Sequence, residues 1–221
     1  MLKIRYFKVK LPTVTGLRSI VEAAVKISRS GAVEIVASSS SELNVRYTSV
    51  RQLVTVQYLS DGSSVPGVAS TMERHSIRIF SRPDYFIFSI IEPPRGNWLV
   101  GDLIIALFGK IEQYTEPLEI GQRIIDRHIS CFNSARLVSA KVRDIPIYEK
   151  AIARLEITSK EGLQPGIAPF LEGKYHRIDS MTFEIVSNLN KGLITYLSNG
   201  TLRISNVLVD DVFPLFETQI T

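Results

Sequence analysis

The chain is predicted to be an α+β protein of mainly antiparallel β-sheet with two principal helices. Three observations lead there. Ser60-Asp61-Gly62, Pro83-Asp84 and Ser198-Asn199-Gly200 each separate two apolar runs rich in β-branched or aromatic residues, which is the mark of a hairpin. Apolar and polar residues alternate through much of the remaining length, the period of a half-buried strand. A helical period replaces that alternation in only two clear stretches.

The first run, residues 2–11, breaks parity. Leu2, Ile4 and Tyr6 share one face and Phe7, Val9 and Leu11 the other, so a bulge or twist is expected near Tyr6 and Phe7. After Pro12, Leu17, Ile20, Val21, Ala24 and Val25 form a helical stripe, with Arg18, Glu22 and Lys26 spaced by four on the other side. Thr15 and Gly31 are the expected caps. Leu43, Val45 and Tyr47 alternate with Glu42, Asn44 and Arg46, and Val54, Val56 and Tyr58 continue the strand pattern. Ser38 to Ser41 reads as the connecting loop before them, and the Gly, Ser and Pro cluster at 61–70 as a longer connection after them. Ile77 and Ile79 then lead through the Pro83-Asp84 turn into residues 85–91, whose apolar side chains occupy both parities. That pattern predicts a strand covered on both faces.

Glu92-Pro93-Pro94-Arg95-Gly96 is the expected boundary between a basic α+β half, residues 1–96, and a second α+β half, residues 97–221. The two halves are read either as similar units or as one continuous domain. Asn97 is expected to cap a helix from Trp98 to Phe108 that is apolar nearly all round, yet at eleven residues is well short of the ~20 that span a bilayer. Further on, alternation marks strands at 151–158 and 181–186. Ile194 and Tyr196, then Asn199-Gly200, then Leu202 and Ile204 read as a two-residue hairpin with a type I′ turn. Between the halves only the strings Glu73-Arg74-His75 and Asp126-Arg127-His128 align, and coincidence accounts for two three-residue matches better than duplication does.

Composition excludes several classes. The 221 residues are 45% hydrophobic and 22% charged, the balance of an ordinary globular protein and not of a disordered or collagen-like chain. Residues 1–10 interrupt their apolar side chains with charge, unlike the core of a signal peptide. The single cysteine, Cys131, lies between Ile129 and Phe132 and reads as strand interior. One cysteine forms no intramolecular disulfide, so a reducing, cytoplasmic setting is expected. The net charge of +4 is unevenly placed: residues 1–110 hold 14 Lys and Arg against 8 Asp and Glu.

No nucleophile elbow, phosphate-binding P-loop or dinucleotide fingerprint occurs, and no catalytic, cofactor or metal residue is assigned. Each histidine adjoins an arginine: Arg74-His75, Arg127-His128 and His176-Arg177. Their wide spacing matches no compact metal motif, and they are expected to lie apart from one another and from Asp126 and Asp179. Asp84 with Glu172-Gly173-Lys174 is the only trace of a metal-dependent phosphodiester enzyme, the third reading, and both carboxylates fall where turns or loops are needed.

Surplus apolar surface leads to the first reading, a non-enzymatic intracellular interaction protein acting as an oligomer or as a subunit of a complex. Its partner is expected to be itself or another protein, not a membrane. The surface expected to mediate this comprises Trp98, Leu99, Leu103, Leu107 and Phe108 of the apolar helix and Phe213, Leu215 and Phe216 of the tail. The alternative is a nucleic-acid-binding accessory protein. It would use Lys3, Arg5, Lys8, Lys10, Arg74, Arg78 and Arg82, cations interleaved with strand aromatics.

Overall fold

A computed structural model describes residues 1–28, 32–148, 151–163, 175–188 and 190–220. These residues form a mostly antiparallel α+β structure in two compact units. One, here the inserted unit, comprises Lys10–Ile90 and Pro94–Tyr114. The other, the split unit, comprises Met1–Val9, Ile91–Pro93 and Thr115–Thr221. The division is therefore interleaved and not a single cut at residue 96, and the Trp98 helix clusters with residues that precede the two prolines.

In the inserted unit, β2 (Val33–Ser38), β3 (Glu42–Tyr58), β4 (Ser64–Ser81) and β5 (Phe86–Ile91) pair in sequence order, all antiparallel. Helix α1 (Leu17–Ser28) packs on β2, β3 and α2 (Trp98–Phe108). Odd-numbered residues of β3 face the helices: Leu43, Val45 and Tyr47 are buried, whereas Glu42, Asn44 and Arg46 remain partly open. Ile77 and Ile79 of β4 share the core face, and α1 supplies Leu17, Ile20 and Ala24 to it. Residues 86–90 of β5 are all buried, as double-sided apolar patterning requires. The Gly, Ser and Pro cluster is not a long connection. Strand β4 already begins at Ser64, and a three-residue turn closed by Gly62 at φ +83° joins it to β3, with Leu59 N–H bonded to the Ser63 carbonyl.

The split unit has the order β1 (Leu2–Lys10), β11 (Thr201–Ile204), β10 (Asn190–Leu197), β9 (Arg177–Ser187), β7 (Ser134–Tyr148) and β8 (Ala151–Thr158), and the short β6 (Tyr114–Pro117) pairs with β1. Helices α3 (Gln122–Ile129) and α4 (Val209–Ile220) pack on each other and supply Ile125, Val212, Phe216 and Ile220 to the core. Tyr6 and Phe7 are both buried, the parity break expected of β1. A smaller apolar cluster, Val142 and Ile145 with Ala153, Leu155 and Ile178, sits at the β7–β8 end.

Several expectations need correction. Four α-helices are described, not two principal ones. The acid-Arg-His strings lie in a strand (β4) and a helix (α3), so they mark no equivalent positions. The β10–β11 turn spans Ser198 to Gly200, and Gly200 alone has positive φ, +78°, whereas a type I′ turn requires two such residues. Asn97 makes no side-chain cap; Trp98 Nε1 instead donates to the Arg95 carbonyl at 3.1 Å. Cys131 follows helix α3, outside any strand, and is exposed. Gly31 lies outside the described residues.

Candidate interaction surface

The apolar helix expected to face a partner is mostly core. Leu99, Leu103 and Leu107 of α2 are buried in the inserted unit, and Trp98 and Phe108 are half-buried. In the tail, Phe216 is fully buried and ringed by Tyr6, His128 and Tyr196 at centroid distances of 5.3, 5.1 and 6.0 Å. Phe213 and Leu215 are half-buried on α4. The tail folds as a helix because Asp210 and Asp211 in its first turn favour its positive end and every third or fourth residue is apolar.

The surplus apolar surface lies elsewhere. Strand β2 pairs with β3 only up to Tyr47, and β5 pairs with β4 only from Ile77 onward. Beyond those points β3 and β4 continue as a two-stranded arm, from the Ser49–Glu73 pair to the Tyr58–Ser64 pair. Because side chains alternate, the two arm faces differ in chemistry. The face continuing the helix-covered side is mixed: Arg51, Thr55, Gln57 and Thr71 stand among Ala69 and the exposed Leu53 (48%) and Val65 (47%). Arg51 stacks on Trp98, its guanidinium carbon 3.4 Å from the ring centroid. The opposite face carries Val54 and Tyr58 (each 80% exposed), Met72 (75%), Val68 (69%), Val50 (59%) and Val56 (54%), with Pro66 among them. An isolated two-stranded ribbon has no second layer to cover such residues. Periodicity alone did identify Val54, Val56 and Tyr58 as one face; what it missed was that the neighbouring strands stop short.

The seven basic residues are divided between the two units. Lys3, Arg5 and Lys8 belong to the split unit; Lys10, Arg74, Arg78 and Arg82 belong to the inserted one. Lys8 pairs with Glu116 at 3.4 Å, and Arg78 with Glu42 at 2.6 Å. Arg5 lies 5.0 Å over the Phe7 ring, and burial pulls its pKa down. Arg74 is exposed at the root of the arm, on the apolar face. Lys10 and Arg82 share a cleft of about 310 Å³; Arg82 donates to the Ser81 carbonyl through Nη1, while its buried Nε and Nη2 have no hydrogen-bond partner among the described residues.

The histidines occupy three different settings. His128 is fully buried, its Nδ1 2.6 Å from the Tyr196 hydroxyl and its Nε2 3.3 Å from the Val212 carbonyl. Burial lowers its pKa to about 4 and raises that of Tyr196, so a neutral imidazole accepts from the phenol and donates to the carbonyl. His75 is buried beside Ser49, Oγ to Nε2 3.1 Å, and meets the edge of Trp98. This serine–histidine pair lacks triad geometry, since the carboxylate of Glu73 approaches the same nitrogen, at 3.7 Å, where a triad acid holds the opposite one. His176 lines a cleft of about 760 Å³ in the split unit. Of the charges lining that cleft, Arg143 pairs with Asp179 at 2.8 Å, Arg177 with Asp144 at 3.8 Å and Glu116 with Lys8. Among the described residues no group of three His, Cys, Asp or Glu is placed to hold a metal, and Asp126 instead accepts from Gln122 at 2.6 Å. Asp84 sits in the β4–β5 turn, while Glu172 and Lys174 lie outside the described residues. Among the described residues no helix is long and apolar enough to cross a membrane.

A comparison with protein-family models finds none that matches this chain, and a comparison with curated proteins finds no match either.

Proposed function

We propose that the protein works by association, as an oligomer or as a subunit of a larger intracellular complex, and that the β3–β4 arm is its docking element. One observation carries this: Val50, Val54, Val56, Tyr58, Val68 and Met72, interrupted by the Gln52–Ser70 pair, stand exposed on one face of a ribbon that has no second layer among the described residues. Apolar rows of this kind are rare on a protein that works alone and common where a partner supplies the missing layer. Leu99, Leu103, Leu107 and Phe216 serve the core and leave this role to the arm. The test compares the parent chain with Val54→Thr/Tyr58→Ser/Val68→Thr, by light scattering and by titration with an apolar dye. Association appears as a mass above 24.8 kDa, or as dye binding, that the variant loses. A parent that stays monomeric and binds no more dye than the variant overturns the proposal.

A second reading, contact with nucleic-acid phosphates, is favoured only by the cleft in which Lys10 meets the unpartnered donors of Arg82. With Lys8 and Arg78 of the seven cations committed to carboxylates, the reading predicts a shallower salt dependence than seven phosphate contacts would give.

A further inference from the structure

The apolar face of the arm carries large apolar side chains on both sides of its middle, with the polar Gln52–Ser70 row on the root side standing where the tip side has Val56 and Pro66. Register places Val54 opposite Val68, with Val50 and Met72 two rows toward the root and Tyr58 and Ser64 two rows toward the tip. One row beyond Val50 and Met72, at the root, lies Arg74, exposed and with no acidic partner among the described residues. At the tip lies Asp61, fully exposed, its carboxylate accepting from the Ser63 N–H and hydroxyl at 2.9 and 2.6 Å.

We infer that the occupant of this face is the arm of a second copy of the chain, laid antiparallel and face to face about a two-fold axis through the Val54–Val68 row. The inference rests on the association reading above and names its partner. Two independent quantities support it. From their exposures, the six apolar side chains present roughly 700 Å² per copy, so mutual burial removes roughly 1,400 Å², within the ~1,200–2,000 Å² of a stable specific interface. The same axis that superposes the apolar rows brings Arg74 of each copy over the tip of the other, where Asp61 waits. An isologous contact thus satisfies two complementary charge pairs at once, and sheet faces stack at the ~10 Å spacing that side chains of this size fill. Edge-to-edge pairing is less suited to the β4 side, because Pro66 lacks the N–H that an added strand would need.

The experiment uses the full chain in a Cys131→Ser background, so that the exposed native thiol takes no part. Val54→Cys, on the axis, should cross-link to its own copy with a short bis-maleimide, whereas Val36→Cys, exposed on β2 outside the arm, should not. Asp61→Asn, which keeps the turn acceptor and removes the charge, and Arg74→Glu should each weaken the dimer about 5- to 10-fold, because each change acts twice in a two-fold contact. The exchange Asp61→Arg/Arg74→Glu should restore it to within about 2-fold of the parent. A dimer that ignores these charges and does not cross-link at residue 54 overturns the inference while association stands. A chain that is monomeric at high micromolar concentration yet binds apolar dye through the arm also overturns it and points to a different protein partner.

Discussion

Acidification is the sharpest probe of the split unit, because His128 is held there without a charge. Its ring accepts from Tyr196 and donates to Val212 inside an aromatic cage, and burial sets its folded pKa near 4. In the unfolded chain the same imidazole titrates near 6.5. Between those values the unfolded state binds the extra proton. The contribution is therefore fully present above about pH 6.5 and is lost as pH falls toward 4. Two and a half units at about 1.4 kcal/mol each make the loss roughly 3 kcal/mol, a large share of a typical domain's stability. His75, whose pKa burial also lowers, acts with the same sign in the inserted unit. Urea unfolding at half-unit steps from pH 7.5 to 4 should show this decline. His128→Gln, whose amide can still donate toward Val212, should be less stable at pH 7 by about 1–3 kcal/mol, because the Tyr196 hydroxyl loses its acceptor, yet its stability should fall less steeply with acid. An NMR titration should place the ring's midpoint near 4. A midpoint near 6.5, or an equal acid slope in parent and variant, would refute the reasoning.

Two further substitutions test the packing. Gly200→Ala should cost about 3 kcal/mol or more, because its φ of +78° disfavours a side chain and the new Cβ would lie 2.5 Å from the Tyr6 carbonyl oxygen and 2.8 Å from that of Leu118. Gly62→Ala, at φ +83° with open space around it, should cost only about 1 kcal/mol, so equal urea midpoints for the two variants would refute the steric account. Leu103→Ala, a truncation on the fully buried face of α2, should lower stability by about 2–5 kcal/mol without changing oligomeric mass. A change in mass with little loss of stability would return α2 to the interface.

Strand content and turn positions were legible in the sequence wherever a local rule suffices. Alternation from Leu43 to Tyr47 depends only on one wet face, and the double-parity run 86–90 only on two dry ones. Helix α3 escaped notice because it is only eight residues long: Ile124, Ile125, His128 and Ile129 make a single repeat of the stripe, too short for a period to register. Helix α4 was masked by Pro214, whose missing N–H argues locally against a helix that burial of Val212, Phe216 and Ile220 nonetheless stabilises. The exposed apolar face of the arm was the least legible. Leu103 and Val54 are equally apolar in the sequence, and only the lengths of the flanking strands decide which one is covered. That information is tertiary, since β2 and β5 end where their own turns and helices begin.

The interleaving of the two units also constrains how the chain is born. Strand β1 is synthesised before the other described elements, and its antiparallel partner β11 joins it through pairs such as Leu2 with Ile204, about 200 residues further on. At the ~5–20 residues per second of translation, Ile4, Tyr6, Phe7 and Val9 wait on the order of 10–40 s for that partner. The inserted unit, complete by residue 114, has time to fold in the interval. Nascent molecules therefore pass through a stage in which β1 has gained β6 but its β11 edge is still open, a natural client for a chaperone. A fragment beginning at residue 97 would lack that strand altogether and leave β11 with a bare edge.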